Sequence, residues 1–74
     1  MRFPRPEEVD YLRQQYVGKR IKVNFMPEDP NPVPAGTLGT CTMVDDAGSL
    51  LMKWDNGRTL SLIPGVDSFD VLRP

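Results

Sequence analysis

Four of the chain's eight prolines fall within nine residues, Met26-Pro27-Glu28-Asp29-Pro30-Asn31-Pro32-Val33-Pro34. Proline has no backbone N–H to donate and a fixed φ of about −65°, so a stretch this rich in it neither pairs within a sheet nor continues a helix. It must run as a long, semi-rigid surface loop. Regular structure is therefore confined to the residues before it and after it, and the fold must accommodate a long early connection.

Ahead of the loop, Pro6-Glu7-Glu8-Val9-Asp10-Tyr11-Leu12-Arg13-Gln14-Gln15-Tyr16 reads as one short helix. Pro6 suits the first turn, Glu7 and Glu8 favour the positive end of the helix dipole, and Gly18 suits a left-handed C-terminal cap. Val9, Leu12 and Tyr16 share a face at i, i+3 and i+7, with Tyr11 at its edge. Two or three turns are marginal alone, so that face must dock on something, and the tyrosines are expected to help.

At Lys19 the hydrophobic period changes to two. Arg20-Ile21-Lys22-Val23-Asn24-Phe25 sets Ile21, Val23 and Phe25 on one face of a strand, with Arg20, Lys22 and Asn24 opposite. Beyond the loop, Thr37–Val44 reads as a second strand with Gly39 as a bulge or bend. Asp45-Asp46-Ala47-Gly48 is a turn. Ser49–Trp54 is a third strand with Leu50, Met52 and Trp54 facing one way. Asn56-Gly57 predicts a tight hairpin, because both residue types tolerate positive φ. Arg58–Ile63 is expected as a fourth strand, Pro64–Ser68 as a short turn, and Phe69–Leu72 as a fifth strand with Phe69 and Val71 inward. The expectation is a mostly β domain: a small five-stranded SH3-like barrel over 19–72, with one short N-terminal α-helix over 6–17.

Composition narrows the chemistry. At 74 residues the chain can bury one small core, which sets aside a two-domain enzyme. It has no histidine and a single cysteine, so His-based catalysis, an intramolecular disulfide and a Cys-type zinc site have no residues to build them. No apolar run approaches the roughly 20 residues of a membrane span. Met1–Pro6 has no apolar stretch behind its charges, which argues against a signal peptide and for a cytoplasmic protein. The net charge of −1 divides unevenly: residues 1–27 carry six basic and three acidic side chains, residues 28–74 three basic and seven acidic. Such polarity can orient a protein on a partner, although solvated surface charge is the commoner reading.

From Tyr11 to Leu72 the chain resembles a family catalogued as domain of unknown function 4314. The resemblance rests on Tyr11-Leu12-Arg13, Pro34-Ala35-Gly36-Thr37-Leu38-Gly39-Thr40, Val44-Asp45-Asp46-Ala47-Gly48-Ser49, Trp54-Asp55-Asn56-Gly57, and Leu60-Ser61-Leu62-Ile63-Pro64-Gly65-Val66-Asp67-Ser68-Phe69. Cys41 stands where the family would have valine. The resemblance implies a compact barrel and an origin in a bacteriophage or mobile element of Gram-positive bacteria. It carries no activity with it, so function must be argued from sites.

Asp45, Asp46, Asp55 and Asp67 can be imagined around a hard cation, but no calcium-loop spacing is present, and Asp is favoured in turns for backbone reasons. Neither a metal nor another cofactor is expected. Trp54 beside Asp55, Asn56 and Arg58 can stack a base or a proline ring, against a core reading shared with Leu50 and Met52. The proline loop with Glu28 and Asp29 either flanks a peptide groove or is a rigid connector. Arg13, Lys19, Arg20 and Lys22 form the one basic group that suits nucleic acid, against an acidic pI. Cys41, in the middle of the second strand, reads as inert core.

No nucleophile stands beside a base, so a non-enzymatic binding module is expected. The first target is a host protein, with inhibition of a host defence system as the specific role. A small signalling nucleotide trapped by an oligomer and a nucleic acid are the alternatives. The candidate binding residues are Trp54, Asp55, Asn56, Arg58, Glu28, Asp29, Arg20 and Lys22. The chain is expected as a monomer or a homodimer.

Overall fold

In the computed structural model, which describes residues 4–73, helix α1 runs from Pro6 to Tyr16. The N-terminal Met1-Arg2-Phe3, on which the signal-peptide reading rested, and Pro74 lie outside the described residues. Pro6 occupies the first turn with Glu7 and Glu8, as the dipole favours. Val9 is buried, and Leu12 and Tyr16 pack against the core. Tyr11 does not dock: it is 60% exposed. At about 100° per residue it lies roughly 200° around the helix from Val9, too far to share its face. Past the helix, Val17 and Gly18 (φ +83) form the centre of a type II turn, closed by the Lys19 N–H donating to the Tyr16 carbonyl at 3.0 Å. That turn type needs positive φ at its third position, which glycine supplies without strain. The Gly18 N–H also donates to the Cys41 carbonyl at 2.7 Å, fastening the helix exit to the sheet.

Among the described residues four strands follow: β1 (Arg20–Phe25), β2 (Leu38–Val44), β3 (Leu50–Trp54) and β4 (Ser68–Val71). They form one antiparallel sheet in the order β3-β2-β1-β4. The long proline loop joins β1 to β2, and α1 packs on β2. Eleven apolar side chains of the described residues form the core, among them Val9, Ile21, Val23, Cys41, Val44, Leu50, Met52, Trp54 and Leu62. Met26 and Val33 complete it from the proline loop, which is thus anchored at both ends by buried side chains.

The expected fourth strand, Arg58–Ile63, is not formed, and the sheet of the described residues is open rather than a closed barrel. The run Arg58–Ile63 forms a single isolated β-bridge to β3 among the described residues, between Leu50 and Leu62, which exchange N–H···O bonds of 2.8 and 3.0 Å. Side chains take two further backbone groups of this run: the Trp54 indole N–H donates to the Leu60 carbonyl, and Asp67 accepts from the Ile63 N–H. A ladder cannot use a group already bonded elsewhere. The turn ahead of it also differs from expectation. Only Gly57 has positive φ (+90), the Gly57 N–H donates to the Trp54 carbonyl, and the Trp54 N–H donates to the Arg58 carbonyl. This is a three-residue loop with glycine in the left-handed position, not a two-residue Asn-Gly turn.

Two bulges redirect side chains. β1 pairs Val23 with Phe69 but Phe25 with Ser68, leaving Asn24 as an extra residue. The alternation therefore reverses, sending Phe25 to solvent (65% exposed) and Met26 into the core. A second extra residue, Thr42, turns Met43 outward and Val44 inward. Gly39, expected as a bend, sits in regular register between Ile21 and Trp54. Val71, expected inward, is exposed on edge strand β4, whereas Phe69 packs edge-on against Tyr16 with ring centroids 5.8 Å apart.

Candidate functional site

The predicted binding residues separate into three places. Trp54 belongs to the core: it is 1% exposed, and its only polar atom is spent on Leu60, 2.8 Å away. It offers no ring face to a ligand. Its neighbours in the hairpin are exposed but internally engaged, since the Asn56 side-chain oxygen accepts from the Arg58 N–H at 3.0 Å.

Arg20, Lys22 and Asp55 lie on the solvent face of the sheet. Alternation along β1 puts Arg20, Lys22 and Asn24 there, opposite the buried Ile21 and Val23. The Arg20 guanidinium grips both carboxylate oxygens of Asp55, one at 2.9 Å, and donates to the Thr40 hydroxyl at 3.0 Å. This hydrogen-bonded pairing holds the Asp55 carboxyl below the usual aspartate range and raises Arg20. Lys22 reaches Asp70 at 3.9 Å, and the Asn24 amide donates to the same carboxylate at 3.0 Å. Arg13, from the helix, donates to the Val44 carbonyl at 3.1 Å and lies near Asp10 and Asp46. Of the four cations that suggested nucleic acid, three are therefore neutralised within the molecule; Lys19 is in no ion pair among the described residues.

Arg58, Glu28 and Asp29 meet at the proline loop. The Arg58 guanidinium donates to the carbonyls of Asn31 and Pro32, pinning the loop to the start of the 58–63 run. Prolines make such carbonyls available, because their neighbours have fewer backbone partners. Asp29 accepts from the Asn31 N–H at 2.9 Å, an Asx turn that fixes the loop locally. Between this loop and the 60–67 segment opens a cleft of about 350 Å³, with Met26, Leu60, Ile63 and Val66 as its apolar lining. Glu28, Asp29 and Asp67 are its charged groups. Ile63 also lines a second depression with Pro4, Glu8, Leu12 and Pro64, so the apolar surface continues from the cleft to the helix.

Glu28 and Asp29 on the loop, with Arg58 holding it, are candidates legible in the sequence, whereas Ile63, Val66 and Asp67 of the opposite wall are not legible there as binding residues. The sequence pattern places Ile63 in a strand and Val66 in a turn. The one available signal was the Pro64-Gly65 pair, which ends any strand and leaves the flanking apolar residues without a sheet to cover them. Cys41 is fully buried, and burial pushes its thiol above the ordinary value. Among the described residues no group of three or more Cys, Asp or Glu side chains is placed to hold a metal ion. None of their helices is long and apolar enough to cross a membrane.

Compared with known proteins, the chain matches the family described as Domain of unknown function (DUF4314) over residues 5–72. No curated protein and no solved structure matches it.

Proposed function

The chain belongs to the DUF4314 family, and we propose that it is a non-enzymatic binding module that acts by engaging a host protein. In this reading it is a cytoplasmic protein of a bacteriophage or mobile element, and its specific role is inhibition of a host defence system. The observation that carries the reading is the clasp of Arg58 on the proline loop, which holds one wall of an exposed apolar cleft in a fixed arrangement. A preorganised wall loses little conformational entropy on binding, so more of the contact energy appears as affinity. The return of β4 to pair with β1, together with the Leu50–Leu62 bridge beyond β3, supports an SH3-like relationship in which the fourth strand is reduced to one pair.

A nucleic-acid partner is disfavoured by the internal pairing of Arg13, Arg20 and Lys22, since a polyanion requires cations free to displace its counterions. The test is affinity capture with the tagged protein from a Gram-positive host lysate, followed by reconstitution with the purified partner. A saturable one-to-one complex is expected at physiological salt. Failure to reconstitute any complex, combined with thermal stabilisation by a nucleotide or a gel shift with DNA, overturns the reading in favour of that ligand.

A further inference from the structure

We propose that the cleft and the helix face beside it take a cationic, aliphatic segment of a partner protein, with lysine or arginine side chains flanking apolar ones. This rests on the binding-module reading and specifies its partner's chemistry.

The argument starts from where acids are matched and where they are not. On the sheet face, Asp55 and Asp70 each have a cation. Around the cleft and along the first turns of α1, Glu7, Glu8, Glu28, Asp29 and Asp67 are in no ion pair among the described residues. Among the described residues no lysine or arginine lines the cleft, the depression beside it, or the hollow against Tyr11. The same surface carries Tyr11, Ile63 and Val66, large apolar groups left in water. Acids and apolar groups are thus interleaved on one continuous face whose shared members are Glu8, Leu12 and Ile63.

Two of the acids are already aimed. Asp29 and Asp67 each spend one carboxylate oxygen on a backbone N–H, at 2.9 and 2.8 Å, which fixes the side chain while its second oxygen makes no hydrogen bond within the described structure. A cation arriving there meets a carboxylate that need not be ordered first, and its aliphatic neighbours cover Ile63 and Val66. An acidic segment or a polyanion meets repulsion at the same place.

The probe is a fluorescein-labelled dodecapeptide alternating arginine with leucine, followed by fluorescence anisotropy on the full chain. Saturable binding is expected, weakened about tenfold or more by E8K/E28K, as removal of complementary charge and its replacement by like charge should do. Ile63→Asn should weaken it too, whereas Asp70→Lys on the sheet face should leave it unchanged; circular dichroism confirms that each variant is folded. Equal affinity for oligolysine, equal affinity in E8K/E28K, or no binding overturns the inference. The two failures are distinguishable: a reconstituted host complex indifferent to E8K/E28K removes the cationic-segment inference and leaves the binding module standing. Absence of any protein complex, combined with thermal stabilisation by a nucleotide or a gel shift with DNA, removes both.

Discussion

The indole ring of Trp54 lies directly on the backbone of Gly39: a Cβ at position 39 would stand 2.6 Å from the ring carbon Cε3 of Trp54. The two residues are cross-strand partners, so the glycine is where the sheet makes room for its largest core side chain. Gly39→Ala therefore forces the ring or the strand to move, because Trp54 Cα and the Lys53 carbonyl oxygen would also crowd the new methyl at 3.0 Å. The expected loss is about 1–3 kcal/mol, the range for overpacking a core. In a domain this size that lowers Tm by roughly 4–8 °C per kcal/mol, which a thermal melt followed by the sole tryptophan's fluorescence will read. An unchanged Tm would show that the ring is not confined by Gly39.

Helix α1 and the inward faces of β1 and β3 were legible because each rests on local periodicity: Val9, Leu12 and Tyr16 at helical spacing, Leu50, Met52 and Trp54 at alternate positions. Phe25 was misassigned because a single extra residue, Asn24, reverses the alternation, and nothing in an Arg-Ile-Lys-Val-Asn-Phe pattern marks a bulge. The run 58–63 carries a strand pattern, but its ladder groups are drawn away by the side chains of Trp54 and Asp67, partners several residues distant. The candidate site was half legible for the same reason. Pro27–Pro34 and its acids are a local signal, whereas the wall of Ile63 and Val66 exists only once the 60–67 segment folds back beside the loop.

Cys41 is fully buried in β2, and burial holds its thiol above the ordinary value. Both effects suppress the thiolate that reacts with disulfide reagents. Labelling of the native protein should be about a hundredfold slower than in denaturant, because it must wait for the sheet to open. Comparable rates would mean that β2 opens readily.

Asp55 supplies a pH dependence whose sign follows from its lowered carboxyl pKa beside Arg20. A group held lower in the folded than in the unfolded chain adds stability above the unfolded value and loses it as pH falls through the folded one. Carboxyl NMR should therefore place the Asp55 midpoint below that of the unfolded chain, and Arg20→Gln should move it upward. The stability difference between wild type and Arg20→Gln should be small at neutral pH, since the pair is exposed, and should shrink further in acid. A midpoint unmoved by Arg20→Gln would dissociate the two side chains in solution.

Arg58 joins the proline loop to the 58–63 run through the carbonyls of Asn31 and Pro32, and no other side chain of the described residues spans that gap by a hydrogen bond. Met26 and Val33 anchor the loop's ends in the core, but Glu28–Pro32 between them depend on this clasp and on the local Asp29 turn. Arg58→Met keeps most of the aliphatic stem while removing the donors, so the core should survive and the middle of the loop should loosen. Amide hydrogen exchange should accelerate at Asp29 and Asn31, whereas β1 and β2 amides keep their protection. The net cost to global stability should be about 0.5–1.5 kcal/mol, the usual contribution of a solvent-accessible hydrogen bond. Faster exchange spread evenly over the sheet would mean that Arg58 supports the whole fold rather than the cleft wall. Exchange unchanged everywhere would mean that the prolines alone hold the loop in place.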